Sequence, residues 1–382
     1  MREMTATMKL AVVGLGAAGM SAALAGAEQG FEVIGFDQAG LDNQEASSGG
    51  RGKIIRFGYD DPFYAGLMRD TMSRWTRLAK TTGRRIMDRH GGLHLGPPAT
   101  IDVVTGGIAD AGQPYERLRP ANPEATARLS EFGAHLADGD DAVFEPAAGV
   151  MWPTQVRRAL ADAAQGAGVT LLADTVVTDL QPTAAGVRIR TGEKAFDVDR
   201  VIVAGGPWAF RLVPTAAPAF AITRRFQIVY ETDAPVGDGL PRPWIDHSEA
   251  SYYGMINVAP RQHVIGLHDL DQEQHVDDPD EPVDDEIRRA SIATQFDYIK
   301  RRFARTRTPR VIDVRTCHYT STASRDFVVD GAPGLPGVIL LSACSGHGFK
   351  FAITMGAYAS SLAGGGTVPD RERFHLQLAR MT

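Results

Sequence analysis

The segment Leu10–Gly19 constrains the fold of this chain more than any other feature. Apolar residues run directly into a Gly-x-Gly-x-x-Gly motif made by Gly14, Gly16 and Gly19. We expect a parallel strand to end at Gly14 and a helix to begin near Gly16. The first glycine then permits a tight turn, the second admits a pyrophosphate, and the third lets the helix pack on the strand. Free N–H groups at the helix start, with Ala18 in its first turn, would stabilise the anion.

The context of this motif strengthens the dinucleotide interpretation. An alanine-rich helix is predicted to run to Ala27, and a second strand covers Phe31 to Phe36. Asp37 ends that strand 23 residues after Gly14. This is close to the spacing of an acid that accepts hydrogen bonds from a ribose. The alternative is a glycine-rich turn that binds no ligand.

Composition excludes several classes of protein. The chain has 382 residues, of which 43% are hydrophobic, enough for two lobes with their own cores. The net charge is −6 and no basic stripe occurs, so nucleic acid is not an expected partner. No apolar run approaches the roughly 18 residues of a membrane span, and a signal peptide cleaved near Ala27 would remove the glycine turn. We therefore expect a soluble, cytoplasmic protein.

The order of the predicted elements indicates an α/β chain whose nucleotide lobe is discontinuous. The βαβ start, the apolar strand Val201–Gly205 and a late strand near Val338 all favour one parallel sheet, whereas residues 220–268 look rich in β-strand. We assign residues 1–85, 143–215 and 308–382 to the nucleotide-binding domain. Residues 86–142 and 216–307 form the second, substrate domain, and the active site lies between the two.

An acidic run extends from Asp269 to Glu286. We interpret it as a solvated loop and the start of a helix over 284–303, and we expect no metal site. The two cysteines, Cys317 and Cys344, could form a disulfide on paper. In a large chain with no expected signal sequence, however, they are expected to stay reduced, so each needs its own explanation.

Several motifs resemble the monomeric sarcosine oxidase family, which includes N-methyltryptophan oxidase, pipecolate oxidase and fructosyl-amino-acid oxidases. The resemblance covers nearly the whole chain and is strongest in Gly14–Gly19, Ser47–Arg56, Phe144–Val150, Tyr252–His268 and Cys317–Lys350. It implies FAD as cofactor and a p-hydroxybenzoate-hydroxylase-like fold, with a Rossmann-like FAD-binding domain beside a β-rich substrate domain. It also implies a monomer that oxidises the C–N bond of a small amine carrying a carboxylate.

The resemblance assigns roles to individual residues. Cys317 falls where family members attach the flavin through a thioether, although a buried apolar cysteine is the simpler alternative, and we interpret Cys344 as a core residue. Arg56 and Lys350 match the pair that holds the substrate carboxylate. This role suits a guanidinium fork and an ammonium, but each could instead have a structural partner.

The remaining matches are to family residues that surround the flavin ring and the nucleotide part of FAD. Tyr253, His268 and Tyr319 match residues that orient the amine, and His268 could also tune its protonation or be only structural. Lys53 replaces an arginine that lies over the flavin. Further expected cofactor contacts are Gln38, Ser47, Ile54, Val177, Gly205, Trp208, Gly346, His347, Gly348 and Phe349.

Val264 departs from the family pattern. The family's oxygen-activating lysine should stand there, and Tyr253 to His268 aligns without a gap. A slower reaction with oxygen is therefore expected. His263 cannot substitute, because it faces the opposite side of the strand.

Three functions remain open from the sequence. The first is an FAD-dependent amine oxidase, with oxygen as a candidate acceptor. The second is a flavin dehydrogenase or biosynthetic desaturase that reacts poorly with oxygen, and the third is a non-catalytic flavoprotein. The side-chain pocket is expected to draw on Phe226, Trp244, Met255, Ile256 or Asn257.

Overall fold

The computed structural model describes residues 7–119, 122–248, 251–268, 274–303 and 309–378. Within these ranges the α-helices are Ala17–Glu28, Pro62–Thr82, Pro98–Asp110, Pro123–Glu131, Pro153–Gly166, Asp285–Arg302, Ala352–Ala363 and Arg371–Phe374, and the 3₁₀ helices are Gly206–Arg211, Pro214–Ala219 and Gly348–Phe351. The described part of the chain contains no helix long and apolar enough to cross a membrane.

A six-stranded, mostly parallel sheet contains the glycine motif. Its strands, in spatial order, are Val328–Gly331, Val338–Ser342, Arg200–Val203, Lys9–Val13, Glu32–Phe36 and Thr170–Leu172, and only the first pair is antiparallel. The central strand Lys9–Val13 is buried beyond its first residue. Both of its faces are covered, which explains the continuous apolar run that predicted it. This sheet joins the start, the middle and the end of the chain, as expected.

A larger, mainly antiparallel sheet of nine strands stands beside it. Eight strands follow the order Gln274–His275, Ala221–Glu231, Gln262–Leu267, Tyr252–Ala259, Arg242–Asp246, Gly92–Gly96, Asp141–Glu145 and Glu116–Leu118, and Arg310–Ser321 pairs with Ala221–Glu231. Two three-stranded sheets complete the fold: one is Asp179–Thr183, Gly186–Thr191 and Lys194–Val198, and the other is Lys53–Ile55, Gly149–Met151 and Met87–Asp88. The mixed α/β, two-part architecture predicted from the sequence is confirmed.

The helix Pro62–Thr82 has clear signals at both ends. The Asp61 side chain accepts a hydrogen bond from the backbone N–H of Phe63, Pro62 occupies the first turn, and Gly83 ends the helix at φ +68°. Its buried face includes Trp75, whose indole N–H donates to the carbonyl of Lys350 at 2.6 Å. The helix thereby supports the backbone that carries a predicted site residue.

The acidic run contains carboxylates that pair with other groups of the protein. Residues 269–273 of this run lie outside the described ranges. Asp278 and Asp280 both pair with Arg211, and Asp280 also accepts a hydrogen bond from the indole of Trp208 at 2.9 Å. Asp284 caps the helix that starts at Asp285. These contacts agree with a loop leading into a helix.

A buried histidine in the large sheet predicts how stability depends on pH. Nδ1 of His263 accepts the backbone N–H of Asn257, and burial lowers the pKa of His263 to about 4. In the unfolded chain this histidine therefore binds a proton below about pH 6.5, whereas in the folded chain it does so only below about pH 4. Acidification from pH 6.5 to pH 4 therefore destabilises the fold. The cost at pH 5 is about 2 kcal/mol.

We expect His263→Gln to make the fall in unfolding free energy between pH 7 and pH 5 shallower by about that amount. Urea melts at the two pH values would measure it. His135→Gln, at an exposed histidine, is the control and should keep the wild-type slope. An unchanged slope in His263→Gln would contradict the prediction.

Candidate active site

One large cavity runs along the edge of the six-stranded sheet to the face of the nine-stranded sheet. Its volume is about 690 Å³. Every cofactor or catalytic residue predicted from the sequence lines it except Gly19, which lies beneath the glycine turn. The lining therefore brings together Gly14 near one end of the chain and Lys350 near the other. Their roles remain predictions, but their convergence on one cavity is a feature of the structure.

The glycine turn has the geometry that a dinucleotide requires. Gly14 adopts φ +92°, and a Cβ on Gly19 would stand 1.8 Å from the carbonyl oxygen of Gly14. Only glycine fits at these two positions. The Asp37 carboxylate accepts the backbone N–H groups of Leu15 at 2.6 Å and Ala39 at 2.9 Å. These bonds fix the acid beside the turn, while burial raises its pKa.

Two neighbouring cations, Arg56 and Lys350, line the cavity, and within the described residues neither forms an ion pair with an acid. Nη1 of Arg56 is buried and has no hydrogen-bond partner among the described residues. Nζ of Lys350 donates to the Tyr59 hydroxyl and to the His347 carbonyl, both at 2.9 Å. Burial lowers the pKa of Lys350 well below its usual range, and Arg56 lowers it further. A carboxylate bound here would satisfy the orphaned guanidinium nitrogen and offset the repulsion.

Tyr59 is a site residue that the sequence analysis missed. Its ring lies 4.0 Å from the guanidinium carbon of Arg56 and its hydroxyl accepts from Lys350, so it spaces the two cations. Burial raises its pKa far above the usual range, which keeps the hydroxyl neutral. Tyr59 lies in irregular backbone after the strand Lys53–Ile55, so no periodic pattern in the sequence marks it.

Tyr253, His268 and Tyr319 form one wall of the cavity, as predicted. The Tyr319 hydroxyl lies 3.1 Å from Nδ1 of His268, and the rings of Tyr253 and His268 are 4.6 Å apart. Burial, assisted by Arg225 and Arg56, lowers the pKa of His268 to about 3. His268 is therefore neutral at physiological pH.

The two cysteines both line the cavity. Burial raises the pKa of the Cys317 thiol, while Lys53 opposes that rise. Nζ of Lys53 lies 5.9 Å from the Phe349 ring centroid. Cys344 is only partly buried, and its sulfur accepts the backbone N–H of Thr320 at 3.3 Å. The interpretation of Cys344 as a plain core residue is therefore wrong.

The structure also corrects the expected side-chain pocket. Of the five candidates only Met255 lines the cavity. Phe226, Trp244 and Ile256 are buried away from it, and Asn257 fixes a turn by bonding both backbone groups of Val236. The residues that line the cavity instead include Ile245 and His247, which the sequence analysis did not select.

A parallel nucleotide-binding sheet beside an antiparallel sheet, with a shared cavity between, defines a two-domain dinucleotide-dependent enzyme class. The chain belongs to the FAD-dependent oxidoreductase family, because the sequence model of that family matches residues 9–362. The resemblance inferred from the motifs is thus confirmed.

Individual relatives support the same placement. The chain is 27% identical over 378 residues to monomeric sarcosine oxidase of Streptomyces avermitilis, with 95% of each chain covered. It is 26% identical over 366 residues to N-methyl-L-tryptophan oxidase of Yersinia pestis, covering 93% of this chain and 94% of that one. NikD, described as an unusual amino acid oxidase essential for nikkomycin biosynthesis, shares the fold with a TM-score of 0.81 at 22% identity, over 97% and 98% of the two chains.

Proposed function

We propose that this FAD-dependent oxidoreductase oxidises the C–N bond of a small secondary amine or cyclic imino acid that carries a carboxylate. The observation that carries the proposal is the pair formed by half-buried Arg56 and buried Lys350. The buried Nη1 of Arg56 has no hydrogen-bond partner among the described residues, and the pair lines the same cavity as the glycine turn. The named activities of the sarcosine and N-methyltryptophan oxidase relatives agree with this choice.

The residues present fit FAD. The glycine turn would admit the pyrophosphate, Asp37 beside it would accept from a ribose hydroxyl, and Cys317 and Lys53 line the same cavity. Bound there, FAD would supply the acceptor for the hydride that leaves the carbon next to nitrogen.

The protein's own part in the reaction is placement and charge. Arg56 and Lys350 hold the carboxylate, which fixes the substrate at one end. The wall of Tyr253, His268 and Tyr319 then limits how the amine can turn, so the reacting C–H is held in one orientation. Lys53, whose pKa is lowered by burial, would favour negative charge on the cofactor side of the cavity. The imine product leaves and hydrolyses in water.

The most informative test is an anaerobic reduction screen of the FAD-loaded protein. N-methyl amino acids, cyclic imino acids and glycated amino acids would be added separately, and loss of flavin absorbance near 450 nm would be followed in each case. Bleaching by at least one class is expected. If none of them bleaches the flavin although carboxylates still bind, the non-catalytic flavoprotein becomes the better interpretation.

We further propose that Cys317 carries the cofactor through a thioether. It lines the cavity beside Lys53, whose positive charge opposes the rise in the thiol pKa that burial causes. Wild-type protein precipitated in acid should keep its yellow colour, whereas Cys317→Ser should release essentially all flavin to the supernatant. Cys344→Ser, at the other cavity cysteine, is the matched control and should keep it. Complete release from the wild type would exclude the link.

A dehydrogenase is the second candidate, and the surroundings of Val264 favour it. Val264 is fully buried in an apolar cluster with Val150, Val229 and Met255, so no charge occupies that position. Stopped-flow mixing of the reduced enzyme with air-saturated buffer separates the two functions. Return of the oxidised spectrum within seconds supports an oxidase, whereas persistence for minutes supports a dehydrogenase.

A further inference from the structure

A chain of buried polar groups ends at the cavity wall and takes no part in the function described so far. Nε2 of His247 lies 3.0 Å from Nδ1 of His94, and Nε2 of His94 lies 3.0 Å from the Glu145 carboxylate. The His94 and Glu145 side chains are completely buried, whereas His247 is only partly buried and lines the cavity. The three groups therefore connect the interior to the site.

Glu145 lies at the buried end of this chain. Its carboxylate also accepts the backbone N–H groups of Phe57 at 2.6 Å and Gly58 at 3.0 Å, and a carboxylate offers acceptors but no donor to the His94 ring. His94 must then donate from Nε2, which leaves its Nδ1 as an acceptor. His247 must in turn donate from Nε2.

The consequence is that Nδ1 of His247 carries a lone pair. The structure gives this atom no hydrogen-bond partner among the described residues, and burial lowers the pKa of His247 well below its usual range. Arg56, His94 and His268 are close enough to lower it further. His247 is therefore a neutral acceptor near Arg56, in the same cavity as Lys350.

We propose that Nδ1 of His247 accepts a hydrogen bond from the N–H of the substrate amine, and that the site thereby selects amines whose neutral form keeps an N–H. The inference rests on the proposed function and narrows its substrate class. A secondary amine or cyclic imino acid satisfies the acceptor, whereas a tertiary amine leaves it unpaired beneath the bound substrate. His247 would touch the substrate, and His94 and Glu145 are positioning residues.

The same carboxylate links this acceptor to the carboxylate clamp. Phe57 and Gly58 directly follow Arg56, so Glu145 holds the backbone next to the guanidinium and the imidazole pair at once. A Cβ on Gly58 would stand 2.8 Å from the His94 ring, which shows how closely the two parts pack. The clamp and the acceptor are therefore held at a fixed separation, as recognition of an α-amino acid requires.

The test uses a pair of probes that differ in one donor and need no turnover. Pyrrole-2-carboxylate carries an N–H beside its carboxylate, and furan-2-carboxylate has the same shape without it. Titrated into the FAD-loaded protein and followed by flavin absorbance, the pyrrole should bind about 3- to 10-fold more tightly, the worth of one buried hydrogen bond. In His247→Phe the two probes should bind equally well, with the furan unchanged.

Two further variants make the result specific. His247→Asn retains a carbonyl acceptor on a shorter side chain and should keep part of the preference for pyrrole-2-carboxylate over furan-2-carboxylate. This variant also provides the test if His247→Phe does not fold. His263→Gln, at a buried histidine of the same sheet bonded to Thr232 and Asn257, should keep the wild-type ratio. A wild-type ratio of one, or a ratio that survives in His247→Phe and is lost in His268→Leu, would overturn the proposal.

Turnover provides the second measurement. N-methyl and N,N-dimethyl forms of the same amino acid would be compared by the rate of anaerobic flavin reduction. The wild type should favour the monomethyl form, and His247→Phe should reduce that preference by the same 3- to 10-fold. If no amine bleaches the flavin but the pyrrole preference follows His247, the proposed function fails together with the selection among amine substrates, and His247 is left only as the acceptor for the N–H of a bound carboxylate ligand. If amines bleach it but His247→Phe alters neither ratio, the inference alone fails.

Discussion

Arg56→Met is expected to lower kcat/KM for the best amino-acid substrate by roughly two to three orders of magnitude. Removing one partner of a buried, hydrogen-bonded charge pair costs about 2–5 kcal/mol, and each 1.4 kcal/mol is tenfold. Arg56 is expected to be the stronger half of the proposed carboxylate clamp, because its buried Nη1 has no partner within the described protein, whereas Lys350 already has two. Steady-state kinetics and carboxylate titration would both show the loss.

Arg51→Met is the matched control for this change. Arg51 lies five residues earlier in the same segment and is exposed, and it does not line the cavity. Its replacement should leave kcat/KM within about twofold, as is usual for surface changes. If both variants lost activity equally, general disturbance of the loop would explain the result and Arg56 would not be the carboxylate ligand.

Gly19→Ala is expected to abolish cofactor binding. The added Cβ would stand 1.8 Å from the carbonyl oxygen of Gly14 and 3.1 Å from the Ala204 side chain, so the helix cannot stay against the turn. The N–H groups that would face the pyrophosphate move with it. Because the cofactor must bind before any bond to Cys317 can form, purified protein should be nearly colourless, with a ratio of absorbance at 450 to 280 nm close to zero.

Gly66→Ala is the control for the glycine change. Gly66 lies inside the helix Pro62–Thr82, and an added Cβ would meet nothing within 4 Å. Alanine favours a helix over glycine by about 1 kcal/mol, so this variant should be yellow and slightly more stable. A yellow Gly19→Ala protein with wild-type occupancy would show that the turn does not hold the cofactor.

The nucleotide side of the site could be predicted from sequence because its signals are local. A tight turn that only glycine allows, a helix start and an acid at the end of the next strand all lie between residues 10 and 37. The apolar strand at 201–203 was equally clear, since a strand covered on both faces has no polar alternation. The helix Pro62–Thr82 has its buried residues on one periodic face, which is a local signal of the same kind.

The substrate side could not be predicted in the same way. The wall of the cavity is set by strand order in the nine-stranded sheet, where Gly92–Gly96 runs parallel to Arg242–Asp246 and places His94 opposite Ile245. Nothing in the sequence connects residues 94, 145 and 247. Trp244 and Phe226 looked like pocket residues because they are large and apolar, but such residues are equally suited to the core.

The dual attachment of Glu145 has a consequence for enzyme engineering. Its carboxylate bonds both the backbone after Arg56 and the His94 ring. Substitutions at Glu145 or His94 that aim to change the range of substrates would therefore be expected to disturb binding of the carboxylate and of the amine at the same time. Ile245 and Met255 line the cavity through apolar side chains instead. Libraries built at these two positions should widen or narrow the accepted side chain while the amino-acid head group keeps its place.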